Sequence, residues 1–425
     1  MRRSFVSNLK LILVLILLVG VMFSCCSCVI QINAASDTKV NKNNNDTTSA
    51  DTVSVTEDDV DYTDLVNSVA VDNKITRAEW LELLFDALDI DVRYDLWDKY
   101  SDFKDLYDSE NNEVVMTAIE RGIIGGNNKT FGADNAATRQ YVSTTLVNAV
   151  GYTTGFSIKC ADYEQIEDKI QASTSVYLGL IKLDVYECFN TYKPITAEEV
   201  LFILDEIQVM KELEGKNILS FGDSIMYGSG NYNVGIAELL AYRYMMNASD
   251  YSYGGATFGY YEGKDQISNQ ILKAIQNREQ PDVILINGGT NDMKRIKAGS
   301  ISDEFDYSTC GRETFASGME YALWLLETHF PGVPVIYIRA HDMMCAYEAN
   351  ELYYGSMALD ICDKWGINVV DIFSDTEFDA HDDYIKMLYT APIKPHVNGD
   401  SVHPNRAGYY EFYFPLIVEK MLSVI

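Results

Sequence analysis

Five residues in the second half of the sequence have the types and the order needed to cleave an ester. Ser224 stands in Gly222-Asp223-Ser224, directly after a short apolar run. A serine hydroxyl is a poor nucleophile until a base removes its proton. His403, in Asp400-Ser401-Val402-His403-Pro404, can be that base. Asp400, three residues earlier, can hold the histidine tautomer and stabilise the imidazolium. The tetrahedral intermediate then needs donors aimed at its oxyanion. The Ser224 N–H, the Gly255 N–H of Gly254-Gly255-Ala256-Thr257 and the side-chain amide of Asn291 in Gly288-Gly289-Thr290-Asn291-Asp292 can supply three. Gly254 is adjacent to Gly255, and the Ala-Thr that follows favours Gly255. Asp223 and Asp292 read as residues that shape their turns.

Metal chemistry is the competing use of the histidines. His396 with Asp400 and His403 could be ligands, and His381-Asp382-Asp383 could suggest a metal-dependent deacetylase. Neither has the paired-histidine helix spacing such sites use, so no metal is expected. No cofactor is expected either. His329 and His341 have no comparable context. Tyr227, Tyr232, Tyr253, Phe258, Tyr260 and Tyr261 crowd the loops near Ser224 and Gly255, where they either stack on sugar rings or pack the loops.

Four loops can converge only if the chain between them builds a frame. β runs are expected at 217–221, 283–286, 333–338 and 367–372, with a weaker one at 250–253. Helical stretches at 234–246, 267–276, 314–328 and 348–365 alternate with them. Apolar strands alternating with amphipathic helices argue for a parallel sheet covered on both faces. In such sheets chemistry gathers at the C-terminal ends of the strands, where the serine, glycine and asparagine blocks stand. These blocks resemble the SGNH, or GDSL-type, hydrolase superfamily, whose Ser, Gly, Asn and His map here to Ser224, Gly255, Asn291 and His403. The resemblance covers residues 214–425 and implies a three-layer α/β/α flavodoxin-like fold and serine ester hydrolysis.

A different pattern precedes it. Thr76 can cap a helix, with Glu79 closing a capping box and Trp80, Leu81, Leu83, Leu84 and Leu88 supplying an apolar stripe. The device recurs at Thr138 and Thr196, 62 and then 58 residues on. Such a near-constant period marks repeats. Before the second copy stand a helix at 114–121, Gly122-Ile123-Ile124-Gly125-Gly126 and Phe131-Gly132. These residues resemble the S-layer homology (SLH) repeat of bacterial surface proteins, over residues 60–212. The resemblance implies a mainly α-helical module that docks onto cell-wall polysaccharide. It assigns anion binding to Arg77 and Arg139, each at a helix N-terminus where the helix dipole also favours an anion. The third copy carries Ala197 in place of the arginine.

The N-terminus has the order of a secretory signal: Arg2, Arg3 and Lys10, an apolar run from Leu11 to Phe23, then Ile32-Asn33-Ala34. Cleavage after Ala34 or Ala35 is expected, giving a signal at residues 1–35. The competing reading is an uncleaved membrane anchor. Residues 36–59, rich in Asn, Asp, Thr and Ser, read as a flexible spacer. Of 8 cysteines, three fall in the signal. Cys160–Cys188 and Cys345–Cys362 could pair, but free thiols are the favoured reading. The 425-residue chain has 63 acidic against 33 basic residues, a net charge of −30, which argues against nucleic acid.

The expected protein is a secreted, bacterial, wall-attached serine esterase acting on acylated carbohydrate, with O-acetyl groups as the expected target. The alternatives are a non-catalytic surface polysaccharide-binding protein and a lipolytic esterase of the same superfamily. The polar and aromatic character of segments 303–311 and 375–394, with no extended apolar lid, disfavours the lipolytic one.

Overall fold

In the computed structural model the structure describes residues 62–63, 66–67, 74–100, 103–106, 112–125, 130–344, 348–392 and 399–425. The signal segment and the spacer lie outside the described residues, as do Cys345 and His396. Among the described residues no helix is long and apolar enough to cross a membrane.

The first part is helical, with α1 (Arg77–Ala87), α2 (Asn112–Glu120), α3 (Arg139–Val150), α4 (Lys169–Tyr177) and α5 (Ala197–Leu213). Thr76, Thr138 and Thr196 cap α1, α3 and α5, each accepting from the N–H three residues on. Full capping boxes form at Thr76 with Glu79 and at Thr196 with Glu199. At Thr138 the third residue is Tyr141, so only the threonine half forms. The segments before these caps pair with one another: Ala137 N–H donates to Ile75 O at 2.7 Å and Ile195 N–H to Ala137 O at 2.8 Å. The period in the sequence is thus a ladder of helix starts.

The second part is a parallel sheet of β1 (Asn217–Phe221), β2 (Asn247–Asp250), β3 (Val283–Asn287), β4 (Val335–Arg339) and β5 (Asn368–Asp371), in the order β2-β1-β3-β4-β5. That is the flavodoxin-like order, which reverses direction at β1. Helices α6 (Ile236–Tyr244), α7 (Ile267–Asn277), α8 (Phe315–His329) and α9 (Glu348–Trp365) connect the strands, and α10 (Phe414–Val424) closes the chain. The β2 expectation is corrected: the strand is Asn247–Asp250, pairing Asn217 with Asn247 and Ser220 with Asp250. Its Asn-Ala-Ser-Asp sequence carries no apolar run because it is an edge strand, half open to water. An unforeseen antiparallel hairpin, β6 (Thr390–Pro392) with β7 (Gly399–Pro404), carries Asp400 and His403.

Residues 59–425 form one compact unit. One apolar core runs from Trp80 and Leu84 through Ile203, Ile207 and Leu213 into Ile218, Leu240 and Ile417, and a second, around Leu81, Phe85, Val115 and Ile123, lies within the helical part. Where the two parts meet, Arg243 of α6 is almost wholly buried and pairs with Glu206 of α5 at 2.7 Å. The rings of Phe202, Tyr244 and Tyr410 surround its guanidinium. Tyr244 also donates to Glu206 at 2.7 Å. A Cβ on Gly179 would come within 2.9 Å of the Tyr410 ring, so the third repeat fits this wall only with glycine there. Cys160 and Cys188 are both free thiols.

Removing one partner of a buried ion pair leaves an uncompensated charge. Glu206→Ala is therefore expected to lower stability by about 3 kcal/mol. Glu164→Ala, which breaks an exposed pair with Lys169, should cost below about 1 kcal/mol. Urea unfolding of the two full-length variants measures both.

Candidate active site

The chain leaves β1 into a tight turn. A Cβ on Gly222 would lie 2.7 Å from Asn287 O and 2.8 Å from Met226 Cβ, so the turn can pack against β3 only with glycine. Asp223 is buried and accepts the Ile225 N–H at 2.9 Å, which shapes the turn as the sequence implied. Ser224 follows at its crest.

His403 reaches Ser224 from the β6–β7 hairpin, with Nε2 2.9 Å from Oγ. Its Nδ1 lies 2.5 Å from Asp400 Oδ2. A carboxylate partner assigns the proton to Nδ1 and leaves Nε2 as the acceptor facing the serine. The other Asp400 oxygen accepts the backbone N–H groups of His403 at 2.8 Å and Val402 at 3.0 Å. Asp400 thus holds both the ring and the main chain that carries it. Ser401, between them, takes φ +62°. Burial pushes the Asp400 carboxyl up, but the bonds from the His403 ring and the two N–H groups outweigh it and hold it below the usual carboxylate range.

Gly255 occupies the third position of the turn Tyr253–Ala256, closed by Ala256 N–H to Tyr253 O at 3.1 Å. Its φ of +84° is the left-handed conformation that a type II turn requires there. Gly254 flanks the serine: a Cβ on it would lie 4.0 Å from Ser224 Cβ. Among the described residues, the N–H groups of Ser224 and Gly255 have no protein acceptor. Asn291 is buried at the end of the β3 loop. Its Nδ2 donates to Ala256 O at 3.1 Å and approaches Asp223 Oδ2 at 3.3 Å, while Arg295 donates to its Oδ1 at 2.9 Å. The amide is oriented, and only the longer contact, to Asp223, could be exchanged for an oxyanion.

Asp292 is buried and accepts the N–H groups of Phe258 at 3.1 Å and Gly259 at 2.9 Å, tying the glycine loop to the asparagine loop. Burial raises its pKa to about 7, against those two donors and with the Asp223 charge adding to the rise.

Several contributors carried no signal in the sequence. Tyr409, in the π-helical turn Tyr409–Tyr413, donates to Ile225 O at 2.7 Å and so braces the residue after the serine. His341 is buried behind the hairpin, stacked on Phe378 at 4.0 Å and joined to Tyr413 at 2.9 Å. Burial drops its pKa to about 3. Arg295 was findable, because it stands four residues after Asn291, one helical turn away.

The remaining candidates scatter. Tyr232, Tyr253, Tyr260 and Tyr261 are exposed, and Tyr227 and Tyr253 lie 6.3 Å apart. Phe258 takes the packing alternative: it is fully buried against Phe315. His381 faces Asp342 at 3.3 Å, whereas Asp382 caps the short helix Asp383–Tyr389 and Asp383 pairs with Lys386. Arg139 is 4% exposed. Each of its three nitrogens is engaged within the protein, by Glu199, Lys182 O and Phe189 O. Arg77 bonds Phe131 O at 2.9 Å but keeps a buried Nε without a partner.

Residues 220–410 match the model of the GDSL-like Lipase/Acylhydrolase family, and residues 102–140 that of the S-layer homology domain. No curated protein matches the chain. Solved structures similar to it include a protein from Lactobacillus plantarum, at 22% identity over 50% of this chain and 96% of that one, with a TM-score of 0.39. A carbohydrate acetylesterase from Sinorhizobium meliloti follows at 12% identity, covering 49% and 100%, with a TM-score of 0.35. An acetyl xylan esterase from Geobacillus stearothermophilus has 17% identity, covering 49% and 95%, with a TM-score of 0.32.

Asp400→Asn removes the negative charge and offers an amide hydrogen in place of an acceptor on one side. It is expected to lower kcat/KM on p-nitrophenyl acetate by roughly 10²–10⁴-fold. Circular dichroism unchanged from the wild type would assign the loss to the histidine rather than to unfolding.

Proposed function

We propose that this chain, an S-layer homology domain followed by a GDSL-like hydrolase domain, is a serine esterase of the bacterial cell surface that removes O-acetyl groups from carbohydrate. The observation that carries the reading is the unbroken line of hydrogen bonds from Ser224 through His403 to Asp400. In this mechanism His403 Nε2 takes the Ser224 proton as Oγ attacks the ester carbonyl. Asp400 stabilises the imidazolium that results. The tetrahedral oxyanion lies toward the N–H groups of Ser224 and Gly255, joined by Asn291 Nδ2 in exchange for its contact with Asp223. Collapse gives the acyl-enzyme and the free sugar hydroxyl, which receives the proton from His403. Water, activated by the same histidine, then releases the acid and restores Ser224.

The carbohydrate part of the reading is supported by exposed Tyr253, whose N–H donates to Gly222 O at 3.1 Å beside the serine turn, since aromatic faces suit the apolar faces of sugar rings. The repeats supply the tie to the wall. Within them, Arg77 is the better candidate for an anionic polysaccharide, given its partnerless Nε. Arg139 acts instead as the link between the second and third repeats.

Two measurements test these assignments. Ser224→Ala should reduce hydrolysis of p-nitrophenyl acetate to a trace of the wild-type rate at unchanged stability; substantial residual turnover would require another nucleophile. In pull-downs with purified wall polysaccharide, Arg77→Ala should bind less well with its melting point little changed. Arg139→Ala should instead unfold more easily, by about 3 kcal/mol, because it strands Glu199 and the buried Phe189 carbonyl.

A further inference from the structure

The chain carries 63 acidic and 33 basic residues, yet cations collect at the mouth of the proposed site. A Cβ on Gly255 would lie 3.5 Å from the Lys264 ammonium, so this charge stands directly over the glycine loop. Lys294, half-buried, stands three residues past Asn291 on the short helix Asp292–Arg295 that follows the asparagine loop. Arg295 directs one arm at Asn291 Oδ1. Among the described residues, none of the three has a carboxylate within ion-pair distance. Glu262 and Asp265 flank Lys264 in the sequence without pairing to it. Asp400 is engaged by His403 and two backbone N–H groups.

An acidic protein repels anions at long range. Unpaired cations at one mouth therefore matter most for a ligand already within a few ångströms, where local charge outweighs the screened net charge. We propose that Lys264 and Lys294, with Arg295 holding Asn291, make this site selective for an ester on a negatively charged sugar, one bearing a carboxylate or a phosphate beside the acyl group. This rests on the esterase reading and narrows it from carbohydrate to anionic carbohydrate. The lysines determine specificity by contacting the charge on the substrate, and they take no part in proton transfer.

The test uses the full chain and three acetyl esters: an acetylated methyl glucoside, the corresponding glucuronoside and an acetylated sugar phosphate. The readout is the ratio of kcat/KM on each charged ester to that on the neutral one. Partly exposed ion pairs change binding by roughly two- to fivefold each, so the wild-type ratio should be about five to ten. Lys264→Gln with Lys294→Gln should bring it to within about twofold of unity, and Lys264→Glu should take it below unity. Raising ionic strength from about 0.01 M to 1 M, which shortens the screening length from about 30 Å to about 3 Å, should erase most of the preference. A preference for only one charged ester supports the proposal and names the group. A wild-type ratio at or below unity, or a preference that survives in the double variant, overturns it while leaving the esterase reading intact. Hydrolysis of none of the three above the Ser224→Ala level would overturn the esterase reading itself.

Discussion

The Asp400 carboxylate accepts three hydrogen bonds, from the His403 ring, the His403 N–H and the Val402 N–H. A half-buried carboxylate so bonded stays ionised despite the cost of desolvation. It also fixes the turn that presents the imidazole, with Ser401 at positive φ as the local consequence. The ring can then meet Ser224, which lies 179 residues earlier, only if the two loops are pressed together. Gly230 permits that approach, since a Cβ there would come within 2.3 Å of Pro404 O. Tyr409 adds a bond from the C-terminal turn to the residue after the serine. The proposed relay is therefore the meeting point of three segments, and none of them positions it alone.

The repeats are joined to this frame more intimately than a wall anchor on a tether would need. Their core continues into the sheet, and the buried Arg243–Glu206 pair is made by one residue from each part. The three equivalent helix starts have diverged accordingly. Arg77 retains a donor without a partner, Arg139 is locked by Glu199 of the next repeat, and Ala197 has no cation at all. Along the ladder toward the sheet the arginine is first tied to the next repeat and then replaced. Lys182 with Glu411 and Tyr177 with Arg406 continue the junction into the C-terminal segment that also holds Tyr409.

Charge is distributed with the same asymmetry. The whole chain is strongly acidic, while the rim of the serine site carries lysines and an arginine without acidic partners among the described residues. Beneath that rim lie two buried acids, Asp223 and Asp292, whose carboxyls burial pushes up. Asp292 bridges two loops through backbone N–H groups, so its role is to keep the glycine and asparagine blocks in register.

Local sequence determined what local physics controls. Strand-loop-helix alternation specified a parallel sheet, threonine caps at a near-constant period specified repeats, and the serine, glycine, asparagine and histidine blocks were legible because each turn tolerates few residue types. Three features required tertiary structure. The edge strand β2 has no apolar signature, because half of it faces water and only pairing with β1 defines it. The state of Arg139 depends on Glu199, which lies one repeat away, and no spacing rule separates an arginine waiting for an anion from one already matched. The fate of the aromatics turned on packing: Phe258 and Tyr253 stand five residues apart in similar sequence, yet one fills the core and the other faces solvent. A sequence records which residues are able to make a contact. Which contact forms depends on what the rest of the chain brings within about 3 Å, and that is decided only when the core closes.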